Sequence, residues 1–135
     1  MLLTQPWSEL RLATVDDVRR AVATIADAVN DTGRRLVVRP HPRERHRPYD
    51  DIETIDHQPS AELQPRVRGA SLVIGDTSSA LLHLASMFEV PTLRVSGIAP
   101  DRLGTGQSAL LAQFVGEAVP ITHLAAALRR FPEER

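Results

Sequence analysis

Leu72-Val73-Ile74-Gly75-Asp76-Thr77-Ser78-Ser79-Ala80-Leu81-Leu82 runs from a short apolar strand, through a sharp polar turn, into an apolar helix. A second stretch, Leu36-Val37-Val38-Arg39-Pro40-His41-Pro42-Arg43-Glu44, repeats the strand and the punctuated polar loop. Both strands are continuously apolar rather than alternating, which fits a sheet covered on both faces. In an open parallel sheet, ligands bind outside the carboxyl ends of the strands. Two polar loops at two such ends therefore suggest one ligand site.

The flanking sequence extends this pattern. Residues 1–4 read as a strand that Gln5-Pro6-Trp7-Ser8 breaks. Thr14-Val15-Asp16-Asp17 is a capping box, and Val18, Ala21, Val22, Ile25, Ala28 and Val29 recur at helical spacing. That helix is expected to end near Asn30, with Gly33 beyond it. Residues 43–51 read as a loop and 52–55 as a short strand. Ser60 is expected to cap a short helix carrying Glu62 and Leu63, disturbed by Pro65 and closed by Gly69. Residues 78–88 form an apolar helix, 92–95 a strand and 97–106 a loop in which Gly104-Thr105-Gly106 is punctuation. Helices are expected over 108–115 and 121–130. Alternating strands and helices predict an α/β, Rossmann-like three-layer domain over residues 1–135, with a mostly parallel sheet of about five strands.

Composition narrows the function classes. The chain has 135 residues, 42% hydrophobic and 24% charged, with a net charge of −1. This balance argues for a globular core and gives no support to nonspecific nucleic-acid binding. Cysteine is absent, which excludes disulfides, thiolate catalysis and cysteine–zinc sites. The five histidines show no metal-ligand spacing. No signal-peptide pattern and no membrane-length apolar run occurs, so a cytoplasmic protein is expected. Arg34, Arg35, Arg39, Arg43, Arg45 and Arg47 cluster with His41 and His46. They are either a solvated surface or, in part, a face for an anion.

Pro40 and Pro42 restrain the backbone on either side of His41. The imidazole is thereby held at a strand's carboxyl end, suited to donate to a phosphate or ribose oxygen. Thr77, Ser78 and Ser79 open a helix. One hydroxyl is explained by capping; three exceed that need, and hydroxyls beside helix N-terminal amides suit phosphate. Pro42 shapes its loop. Asp76 either orients a hydroxyl or starts the turn. Glu62 is a candidate for ribose hydroxyls. Gln5, Arg39 and Arg43 complete the set of candidate contacts. A serine hydrolase is disfavoured, because no G-x-S-x-G elbow is present.

Together, Leu2-Leu3-Thr4-Gln5-Pro6, the His41-Pro42 segment and the Ser78-Ser79 segment resemble the C-terminal half of bacterial polysialyltransferase-like and related sialyltransferases, over roughly residues 1–96. These are GT-B glycosyltransferases, so the resemblance implies the donor-nucleotide half of a GT-B fold. It implies that His41 contacts the phosphate or ribose of a CMP-sugar, and that Ser78 and Ser79 hold the phosphate. It implies no metal and no cofactor beyond the CMP-sugar substrate. Arg39 stands where the family often has lysine. The family's general base lies in the N-terminal half, so no catalytic residue is assigned here. The chain is expected to be a fragment or a stand-alone relative, inactive alone, working with an N-terminal half or separate subunit, or pairing with a second copy. CDP-glycerol phosphotransferases carry similar segments and form the close alternative. A noncatalytic nucleotide- or sugar-phosphate-binding module is the other.

Overall fold

The computed structural model describes residues 1–49, 51–100 and 102–131. Asp50 and Asp101, expected in loops, and residues 132–135 lie outside the described residues. In chain order the elements are β1 (Leu2–Leu3), α1 (Val15–Asn30), β2 (Val37–Arg39), β3 (Glu53–Thr54), α2 (Pro65–Arg68), β4 (Val73–Gly75), α3 (Ser79–Met87), β5 (Thr92–Ser96), α4 (Thr105–Phe114), β6 (Val119–Pro120) and α5 (Leu124–Leu128). Short 3₁₀ turns at Ala61–Leu63 and Ile121–His123 precede α2 and α5. The strands form one sheet in the order β3-β2-β1-β4-β5-β6, with every pairing parallel. This is the doubly wound, Rossmann-like α/β arrangement.

Alternation along each strand divides the core between two faces. Leu2, Val38, Ile74, Leu93 and Val95 meet α1 and α5 on one face, with Trp7 beside them. Leu3 and Val73 face the other way and pack with Val67 of α2, Leu81 and Leu84 of α3, and Val90.

Helix α1 begins as its capping box dictates. Thr14 Oγ1 accepts from the Asp17 amide at 3.0 Å, and Asp17 Oδ2 accepts from the Thr14 amide at 3.1 Å. Its buried face is Val18, Ala21, Val22, Ile25, Ala28 and Val29. The chain leaves it through Gly33 at φ +74°, a left-handed turn that glycine adopts without strain. Arg34 then reaches across to the last turn of α5, donating to the carbonyls of Leu128 (3.1 Å) and Phe131 (2.6 Å).

The mostly parallel sheet of about five strands is borne out, with six strands in all. The sixth, Val119–Pro120, sits at the sheet edge, where proline's missing donor is tolerated, and two residues make no readable run. Pro65 opens α2 at its first position instead of disturbing a helix, a place where the missing N–H is no loss. Gly104-Thr105-Gly106 is the start of α4 rather than loop punctuation: Gln107 Oε1 accepts from the Gly104 amide at 3.0 Å.

Candidate functional site

The chain runs from β1 through α1 to β2 on one side, while β4 joins β1 on the other. Strand order therefore reverses between β1 and β4, and the loops at their carboxyl ends splay apart to leave a crevice. A cleft of about 720 Å³ opens beside these loops. Gln5, His41 and Pro42 line one side, and Thr77, Ser78 and Ser79 another. The remaining wall is the segment from His57 to Glu62, with Arg39 behind it.

His41 is held by its own loop. Its amide donates to Thr4 Oγ1 at 3.1 Å and to Glu44 Oε1 at 2.8 Å. Its Nδ1 accepts from the Arg43 amide at 3.1 Å. Burial, then the neighbouring Arg39 and Arg43 cations, hold the imidazole below its ordinary pKa. The ring is thus neutral at neutral pH, with its proton on Nε2, and offers the cleft a donor.

Beneath this loop, Glu44 gathers the hydroxyls of Thr4 and Tyr49 as well as the His41 amide. Burial raises its carboxyl above the usual range. Glu9, from the β1–α1 loop, accepts from the amides of Arg45 (2.7 Å) and His46 (3.1 Å). Burial opposes its ionisation, but those amides outweigh burial and lower its pKa. Two carboxylates therefore pin the His-Pro loop from both sides.

Across the cleft, Ser78 caps α3, its Oγ accepting from the Ala80 amide at 3.2 Å. Among the described residues the hydroxyls of Thr77 and Ser79 make no hydrogen bond. Gly75 lets α3 approach the end of β4: a Cβ there would meet Leu81 Cδ2 at 3.3 Å. Glu62 lies on the cleft wall with its Oε1 3.3 Å from His83 Nδ1 on α3.

Arg39 follows Val38 and so turns to the opposite face of the sheet. There it is 7% exposed. Its Nε donates to Gln64 Oε1 at 3.0 Å, and its Nη2 donates to the carbonyls of His57 (2.6 Å) and Pro59 (3.2 Å). Burial lowers its pKa, against the pull of Glu62 and Asp56.

The structure thus brings Gln5, Arg39, His41, Pro42, Glu62, Thr77, Ser78 and Ser79 around one cleft. It does not bring Arg43 or Asp76 there. Arg43 lines a separate groove of about 890 Å³ with Glu9, Arg45 and His46. Asp76, just after β4, is buried and does not line the cleft. Among the described residues no group of three or more His, Asp or Glu side chains is placed to hold a metal ion. No described helix is long and apolar enough to cross a membrane.

Sequence reasoning missed Glu9, Glu44, His83 and Gln64, and the wall residues His57, Gln58, Pro59 and Ser60. His83 was discoverable, because it lies one helical turn beyond Ser79 and shares its face.

The family model for alpha-2,8-polysialyltransferase matches residues 1–96. The chain belongs to the alpha-2,8-polysialyltransferase family. The matched segment ends with β5 and holds every residue that lines the cleft. Polysialyltransferase kinship therefore falls on the part of the chain that builds this site. No curated protein matches the chain, and no solved structure does.

Proposed function

We propose that this polysialyltransferase-family chain is the donor-nucleotide domain of a sialyltransferase-type glycosyltransferase, corresponding to the C-terminal half of a GT-B fold and taking a CMP-sugar. The observation that carries the reading is the meeting of His41 and Thr77–Ser79 across one cleft at the carboxyl edge of the sheet.

The residues suit a leaving nucleotide. Transfer of the sugar leaves negative charge on the departing phosphate. The Nε2–H of His41, the Thr77 and Ser79 hydroxyls and the N-terminus of α3 are donors for that charge. Such donors stabilise it without a metal ion. Glu62, held by His83, is placed to accept from ribose hydroxyls. Deprotonation of the acceptor is assigned to no residue of this chain; in the GT-B reading it belongs to the N-terminal half.

The test is thermal unfolding with CMP, CDP, UMP, UDP and AMP, each with a chelator present. A ligand that binds only the native state raises its stability, by about 2.7 kcal/mol at a hundredfold excess over Kd. A rise with CMP and CDP alone is expected. No rise with either at millimolar ligand would overturn the donor-site reading. An equal rise with uridine nucleotides would overturn the choice of cytidine.

A further inference from the structure

The cleft wall opposite His41 is built on a buried polar cluster. The wall segment, residues 57–60, has no helix or strand of its own. Its carbonyls point inward instead and are taken up by two side chains. Arg39 Nη2 donates to those of His57 and Pro59. Gln64 Nε2 donates to the carbonyls of Asp56 (2.6 Å) and Gln58 (3.0 Å). The two side chains bind each other, Arg39 Nε to Gln64 Oε1. Four consecutive or near-consecutive carbonyls are thereby gripped by one Arg–Gln pair rooted in β2 and the start of α2. Arg39 and Gln64 are 7% and 6% exposed.

Two chemical facts make this pair specific. Guanidinium presents its donors in a rigid fork, which a lysine ammonium does not reproduce. The Gln64 amide must accept from Arg39 with its oxygen while donating to two carbonyls with its nitrogen. A glutamate there keeps the first contact and sets an oxygen against the two carbonyls.

We infer that Arg39 and Gln64 are positioning residues, which set the wall at residues 57–60 against the nucleoside part of the ligand while the phosphate is held elsewhere. This rests on the nucleotide reading of the cleft. Its geometric basis is a division within that cleft. His41 and Thr77–Ser79 are tied into the loops after β2 and β4, and no bond of the Arg39–Gln64 pair reaches the hydroxyl residues of α3. The Arg39–Gln64 side chains thus support residues 57–60 without a bond to the phosphate donors. Loosening the wall weakens the hold on the nucleoside and leaves the hold on phosphate.

The experiment compares calorimetric binding of CMP and of pyrophosphate to the wild-type chain, Arg39→Lys and Gln64→Glu, with circular dichroism confirming that each is folded. The expected result is a loss of about tenfold or more in CMP affinity in both variants, with pyrophosphate affinity within about twofold of wild type. A merely structural role would lower both affinities together or neither, and either result overturns the inference. Amide exchange on the wild-type chain supplies a readout that needs no variant. CMP is expected to protect amides within 57–62, and pyrophosphate is expected not to. Equal protection by both ligands, or none by CMP, overturns the inference even where the variants fail to fold. A wild-type chain that binds neither ligand overturns the nucleotide reading itself. One that binds CMP, with variants that bind it equally well, overturns only the positioning role.

Discussion

The ring of His41 accepts the Arg43 amide on Nδ1 at 3.1 Å, so the imidazole is committed to one tautomer by its own loop. The committed proton is on Nε2, the nitrogen left for a ligand. Replacing His41 by alanine is expected to remove that donor and leave the fold intact. A hydrogen bond to a charged group is worth about 1.5–3 kcal/mol, so CMP affinity should fall about ten- to a hundredfold. Titration calorimetry checks this. An unfolded His41→Ala chain would show that the ring is a structural prop.

Ser78 and Ser79 are adjacent but differently employed. Ser78→Ala removes the α3 cap, with an expected stability loss of about 1 kcal/mol. Ser79→Ala removes an exposed hydroxyl, so its stability should stay within about 0.5 kcal/mol of wild type while CMP affinity drops. Urea unfolding and calorimetry on the pair separate the roles. Equal stability losses in the two variants would argue against this division.

Glu44 accepts from three donors at once: the hydroxyls of Thr4 and Tyr49 and the His41 amide. Glu44→Ala leaves the buried Tyr49 hydroxyl without its acceptor and the Thr4 hydroxyl with only the Arg39 carbonyl at 3.5 Å, a loss of about 3 kcal/mol. Glu44→Gln keeps one acceptor oxygen, and the Tyr49 hydroxyl can rotate to accept from the new amide. It should therefore recover most of the loss. A Glu44→Ala chain as stable as wild type in urea would contradict this network.

Acid sensitivity separates the same two residues. His41 has a folded-state pKa below its ordinary 6.5. Between these values the unfolded chain binds more protons, so His41 makes stability fall as pH drops through 6.5 toward the lower value. Glu44 has a folded-state pKa above its ordinary 4.5. There the native chain binds more protons, so Glu44 makes stability rise as pH falls from the raised value to 4.5. His41→Gln should flatten the first limb, and Glu44→Gln the second. Urea midpoints between about pH 7 and about pH 4 would reveal both. Wild-type slopes in both variants would refute the assignments.

The fold was legible because its signals are local. The capping box at Thr14 and the spacing from Val18 to Val29 specify α1 whatever it packs against. The strand runs ending at Val38 and Ile74 are short, apolar and followed by punctuation. The sixth strand was not legible, since Val119–Pro120 is two residues long and is a strand by its pairing with β5. The His-Pro and Ser-Ser loops were legible as a pair because both follow strands that end at one edge. Their supports were not. Nothing in the letters says that Glu44 is buried, that Gln64 faces Arg39, or that Arg43 turns away into another groove. Those facts depend on how loops fold back on one another, at separations that local patterns do not encode.

The polysialyltransferase match stops at Ser96, yet α1, which lies inside it, buries its apolar face against Leu124 and Leu128 outside it. Arg34 adds two bonds across the same boundary. Kinship and foldability thus have different limits in this chain. A protein cut at the end of the matched segment would keep every cleft-lining residue but lose the Leu124 and Leu128 packing on one face of the sheet. Residues 97–131, which lie outside the family match, serve as the keel of the cleft.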